Sequence, residues 1–130
     1  MASEMRVTTI ANNAGTESVG STYVINGSAK AWASADDSSS TDSVRDSLNV
    51  SSLTDTAQGD TTINFTNNMS NDDFASVFCA EASSGNDTNL NSIIKYNSIT
   101  TSTLGGQSGN TSGTLGGLVS HHFLVHGDLA

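Results

Sequence analysis

The sequence predicts an all-β fold, an antiparallel β-sandwich or barrel of about seven or eight short strands behind a short N-terminal arm. Three observations point there. Apolar residues come in runs of strand length and seldom at helical spacing. Polar segments rich in Ser, Asn, Asp and Gly separate the runs. No proline interrupts any of them, the count of that residue being 0. A chain of 130 residues suffices for one core, burying ~65% of the surface that its unfolded form exposes.

The elements follow in order. The run "MRVTTI" (residues 5–10) carries Val7 and Ile10 and is cut off from the rest by "ANNAGTESVGS" (11–21). Residues 1–21 therefore read as an arm and linker, and residues 22–130 as a single β domain. A strand so isolated has few partners in its own domain. Met5, Arg6, Val7, Thr8, Thr9 and Ile10 are thus the candidate partner-binding residues. "STYVING", with Tyr23, Val24 and Ile25, and "AKAWAS", with Ala29, Ala31 and Ala33 around Trp32, read as the next strands. "SVRDSLNV" and "TTINFT" follow, the second with Ile63 and Phe65 alternating. They are joined through "QGD", where Gly59 supplies the left-handed backbone of a β-meander. "FASVFCAE", "SIIKYNSIT" and "LVSHHFLVH" complete the set. Between the last two, "TSTLGGQSGNTSGTLGG" (101–117) reads as a Gly-rich loop, since two copies of "TLGG" are too few for a repeat array.

Composition excludes several functions. Charged residues make up 13% and hydrophobic residues 35%, both below the usual ~25% and ~45–50%. Ser, Thr, Asn and Gly fill the difference. Thirteen acids oppose four bases for a net charge of -9, which repels nucleic acid. Arg6, Lys30, Arg45 and Lys95 are scattered, which argues against an anionic membrane surface. No segment approaches the ~18 consecutive apolar residues of a membrane span, and "MASEMRVTTI" lacks the apolar stretch of a signal peptide. The expectation is a protein made in a cytoplasm and not inserted in a membrane.

Enzyme signatures are missing from the sequence. "GGQSGN" departs from the Gly-x-Ser-x-Gly elbow at Asn110 and follows glycines rather than a strand, so Ser108 is not expected to act as a nucleophile. No phosphate-cradling glycine motif with its lysine occurs. The pairs Asp36-Asp37 and Asp72-Asp73 read as solvated turn acids, too few for a calcium loop. The single cysteine, Cys79, reads as a buried thiol in "ASVFCA". On a strand, His122 and His126 share a face ~13 Å apart, too far to chelate one ion. His121 then takes the face of Val119, Phe123 and Val125, half-buried. Only in a trimer with this strand at its axis would histidines from different chains meet. No cofactor or resident metal is expected of the single chain.

A longer pattern adds to this reading. "AKAW" at 29–32, "SVRDSLNVSSLTD" at 43–55 and "GDTTINFTNNMSNDDF" at 59–74 cover about a third of the chain. Together they resemble a module of tail-fibre and other virion structural proteins of marine bacteriophages, those of cyanobacteria above all. The turn "ADDSSSTD" replaces a glycine-rich one, and Ser70 stands where the module has a proline after its methionine. The resemblance implies a non-enzymatic virion structural protein, made in the host cytoplasm and displayed on the particle surface. Two placements stand level: a knob-like capsid decoration and a short tail-fibre component. The partners implied are other phage structural proteins, of capsid or tail, with the chain itself a homo-oligomer and a trimer among the states open to it. A neutral-polar surface suits this setting, because salt screens charge in seawater. The alternative is a lectin-like tip that binds a host cell-surface polysaccharide by stacking Trp32, Tyr23 or Tyr96 on sugar rings.

Overall fold

Burial alternates along Ala31–Asp36, with Ala31, Ala33 and Ala35 inward and Trp32, Ser34 and Asp36 outward. That is the period of a strand with one face on a core. The computed structural model describes residues 5–37, 41–81, 93–109, 115 and 120–130. The chain enters through β1 (Thr9–Ala11), β2 (Ser18–Gly20) and α1 (Ser21–Gly27). It continues through β3 (Ala31–Asp36), β4 (Ser43–Leu48), β5 (Val50–Ala57), β6 (Asp60–Phe65), β7 (Ala75–Glu81), β8 (Ile93–Ile99), β9 (Thr103–Gly109) and β10 (Ser120–His126). The strands β3 to β10 form two antiparallel sheets of four, in the orders β4-β3-β10-β7 and β5-β6-β9-β8, packed as a sandwich. The all-β expectation holds.

The core lies between the sheets. Ile63, Phe65 and Leu104 from the second sheet meet Phe78, Phe123 and Val125 from the first, with Met69 closing one end. Each large side chain buried there contributes about 1.5–3 kcal/mol. The three inward alanines of β3 leave room beside them for Phe123 and His121, their cross-strand neighbours on β10. Phe78 lies at the centre, its ring 4.8 Å from Phe123 and 5.1 Å from the His121 imidazole.

One residue, Asn49, carries the chain from β4 in one sheet to β5 in the other. Its φ is 57°, a left-handed conformation that Asn tolerates better than most side chains. Its Oδ1 accepts from the Asn67 backbone N–H at 2.8 Å, and its Nδ2 donates to the Asn67 carbonyl at 3.0 Å. Gly59, at φ 84°, makes the turn between β5 and β6, as its sequence context predicts.

Two expectations are corrected. "STYVING" forms the helix α1 instead of a strand. It has no neighbouring strand to satisfy a β ladder, so its backbone bonds locally, as in Ser28 N–H to the Val24 carbonyl. The stretch read as a Gly-rich loop opens with a central strand, β9. The phenyl ring of Phe78 crosses from the opposite sheet onto Gly106, where a Cβ would meet ring carbons at 2.7 Å. Glycine inside a strand marks close approach as well as a turn. The rest of that stretch, apart from Leu115, lies outside the described residues.

Gly106→Ala is therefore expected to destabilise the protein by about 1–3 kcal/mol through overpacking against Phe78. Asn49→Ala is expected to cost about 1–3 kcal/mol and Asn49→Gly less, since glycine keeps the φ and loses only the side-chain bonds. Denaturant midpoints measure all three.

Candidate functional site

The chemistry-bearing side chains gather inside the sandwich. His121, at 0% exposure, projects from β10 into the gap between the sheets. Its Nε2 lies 2.9 Å from Ser108 Oγ on β9, and its Nδ1 lies 2.8 Å from Thr61 Oγ1 on β6. Thr61 Oγ1 in turn donates to Asp42 Oδ2. One set of proton positions satisfies these contacts. Thr61 spends its hydroxyl proton on the carboxylate and so accepts from His121 Nδ1–H, which leaves Nε2 to accept from the Ser108 hydroxyl. The relay runs Ser108, His121, Thr61, Asp42, and it ties one sheet to the other.

Asp37 stands beside it, also fully buried. Its carboxylate accepts the Gly59 N–H, at 3.1 Å to one oxygen and 3.3 Å to the other, and lies 3.6 Å from His121 Nε2. The Gly59 carbonyl accepts Ser108 N–H at 2.8 Å, so the β5–β6 turn is held against β9 and the end of β3 alike. A second carboxylate, Asp60, accepts from Gln107 Nε2 at 2.7 Å and from Asn97 Nδ2.

Burial sets the charge states. Removal from water pushes the His121 imidazole below its ordinary 6.5, and the His122 charge adds to this; Asp42 and Asp60 pull the other way without prevailing. The 3.6 Å approach to Asp37 is accordingly a contact with a neutral ring rather than an ion pair. Asp42 is raised from 3.8 to about 6, chiefly by burial, with the Asp37 carboxyl adding to the rise and the Thr61 hydrogen bond opposing it. Among the described residues Asp42 Oδ1 finds no partner.

The order Ser, His, hydroxyl, carboxylate is that of an activated nucleophile. Its setting is different. Ser108, Thr61 and His121 have no exposed surface, so no substrate carbonyl can reach Ser108. The arrangement acts as a polar fastening of the core, in which every hydrogen bond replaces one given up to water.

Sequence reasoning placed some of these residues correctly and missed others. His121 does share the inward face with Phe123 and Val125, but it is wholly buried rather than half-buried. Asp37 is a buried acceptor instead of a solvated turn acid, and Asp36 ends β3 in an ion pair with Arg45 at 2.9 Å. Asp72 and Asp73 are exposed, as expected. Cys79 is exposed, not buried, because it faces outward from β7 opposite His122. The signal for the network was legible: an imidazole on a core face needs a partner for each nitrogen, and Thr61 and Ser108 also sit at inward positions.

The candidate partner-binding residues, Met5, Arg6, Val7, Thr8, Thr9 and Ile10, are all exposed. They lead into β1, which pairs only with β2, and Thr8 accepts the Ser21 N–H at 2.9 Å. Trp32, Tyr23 and Tyr96 lie on three separate elements: the outer face of the first sheet, α1 and β8. Among the described residues no group of three or more His, Cys, Asp or Glu side chains is placed to hold a metal ion, and no helix is long and apolar enough to cross a membrane.

No protein-family model, curated protein or solved structure matches the chain.

The two shifted groups pull stability in opposite directions with pH. The unfolded His121 takes a proton near 6.5 while the folded one stays neutral, so its contribution is complete above 6.5 and lost as the pH falls. Asp42 binds a proton at about 6 when folded and at 3.8 when unfolded, so stability is gained as the pH falls through that interval. Asp42→Asn removes the second effect and, by taking away a charge that raises the His121 imidazole, strengthens the first in the same direction. The variant is expected to lose stability more steeply than the parent between pH 6.5 and about pH 4, measured by urea unfolding at several pH values. Parallel curves would contradict the assignment.

Proposed function

We propose that the chain is a non-enzymatic bacteriophage virion structural protein, displayed on the particle surface as a knob-like capsid decoration or a short tail-fibre component. The observation that carries this reading is the contrast between its two parts. The sandwich closes over the Ser108–His121 pair, whose hydroxyl and imidazole have no exposed surface. The arm together with α1, residues 5–27, does the reverse: Met5, Val7, Ile10, Val19, Tyr23, Val24 and Ile25 are all exposed, and α1 has no buried residue.

A domain with inert interior chemistry and an apolar appendage is suited to assembly. The arm attaches the domain to other structural subunits, while the uncharged polar residues of the sandwich face the medium. The separation of Trp32, Tyr23 and Tyr96 favours this reading over a glycan-stacking platform, which needs aromatic rings gathered on one surface.

Antibody raised against the chain and detected by gold labelling on intact marine phage particles tests the proposal. Label over the head is expected of a decoration, and label confined to the tail is expected of a fibre component. Particles that carry no label, with the chain recovered only from lysed cells, would contradict it.

A further inference from the structure

Two apolar surfaces of the chain are uncovered, and they are of different kinds. The first is the arm, where Tyr23 is 77% and Ile25 60% exposed. The second crosses the outer face of the β4-β3-β10-β7 sheet. The register sets Leu48 against Trp32, Trp32 against Leu124, and Leu124 against Val77. Directly paired residues point to the same side of a sheet, so the four side chains form one row across all four strands, ~14 Å long. Leu48, Leu124 and Val77 are exposed, Val77 at 58%. Beyond Leu48 the row runs into a shallow groove of about 410 Å³ whose lining includes Leu48, Ala29 and Leu129.

Charge selects what can lie on this face. The adjacent cross-strand row is Asp46, Ser34, His122 and Cys79, and the row after it holds Glu81 and an Asp36 already paired with Arg45, so Asp46 and Glu81 give the border its acidic character. The protein as a whole carries -9, so two sandwiches repel each other. Residues 5–27 contain one acid, Glu17, and one base, Arg6, and add nothing to that charge. The arm is therefore the part of the molecule that can approach the face without repulsion. Arg6, between Met5 and Val7, brings the opposite sign to the acidic border.

We infer that the arm of one copy docks on the outer face of this sheet in a second copy, its apolar residues covering the row formed by Leu48, Trp32, Leu124 and Val77. The interface joins unlike surfaces, so it is satisfied either reciprocally in a pair or head to tail in a closed ring. The inference rests on the reading of the arm as an assembly segment and names its first partner as the chain itself.

The test uses the purified full chain, away from any particle, so that its result stands apart from the labelling of virions. Sedimentation is expected to show an oligomer, and Leu124→Asp or Val24→Asp to weaken association by about tenfold or more, since each sets a carboxylate in a desolvated apolar contact. Val24 belongs to a helix with no buried residue, so Val24→Asp should leave the circular dichroism spectrum of the folded sandwich unchanged. Cys79, the single cysteine, faces outward beside the row. Mild oxidation of wild-type chain mixed with an isotope-labelled Tyr23→Cys, Cys79→Ser chain should give a disulfide between position 79 of one copy and position 23 of the other. A monomer at every concentration, or an oligomer indifferent to both aspartate substitutions, overturns the inference.

Discussion

The imidazole of His121 is the interaction on which the rest of the structure depends. A sandwich of this size, whose β3 contributes only Ala31, Ala33 and Ala35 to the core, relies on a few large side chains. His121 stands among them and hydrogen-bonds across the gap to Thr61 and Ser108 in the facing sheet. Apolar contacts are non-directional and tolerate sliding; two hydrogen bonds at fixed angles do not. Slippage of β10 by one residue would turn His121 to solvent and leave Thr61 and Ser108 unpaired, at about 1–3 kcal/mol for each orphaned group. The network therefore specifies how the sheets face each other.

This accounts for a polar cluster that resembles catalytic machinery and is sealed from solvent. Asp37 holds the Gly59 turn, Asp42 ends the relay by accepting from Thr61, and the neutral ring joins them. What the interior gains in definition, the exterior does not need. The arm and the outer face of the first sheet carry exposed apolar residues, and these are the surfaces on which the proposed association would rest.

Much of the fold was legible in the sequence because strand periodicity is a local signal. "TTINFT" alternates so strictly that Ile63 and Phe65 were identifiable, and Gly59 announced its turn; in "AKAWAS" size misleads, since Trp32 points outward and the small alanines inward. The failures came where local pattern and tertiary setting disagree. Tyr23, Val24 and Ile25 have strand propensity but no strand beside them, and the segment became helix. Gly106 looks like a loop residue until a phenyl ring from the opposite sheet is seen to occupy the space of a side chain, and Gly105 until the Asn97 and Thr62 side chains are seen to do the same. Asp37, next to Asp36 in a turn-like run, is buried because the Gly59 N–H lies across from it, a contact between residues 22 apart. The site followed the same rule. His121 could be assigned to a core face, while its partners on β6 and β9 come from elsewhere in the chain and depend on sheet order, which no local pattern encodes.

The central claim is that a neutral His121, protonated at Nδ1, bridges the two sheets. Nitrogen-15 NMR of the labelled imidazole tests it most directly, since the shifts of the two ring nitrogens report tautomer and charge separately. The account predicts one neutral form with the proton on Nδ1, held from pH 8 to below 6.5 in the folded protein. A ring that takes up a proton near 6.5 with both nitrogens equivalent, or a neutral ring protonated at Nε2, would contradict it.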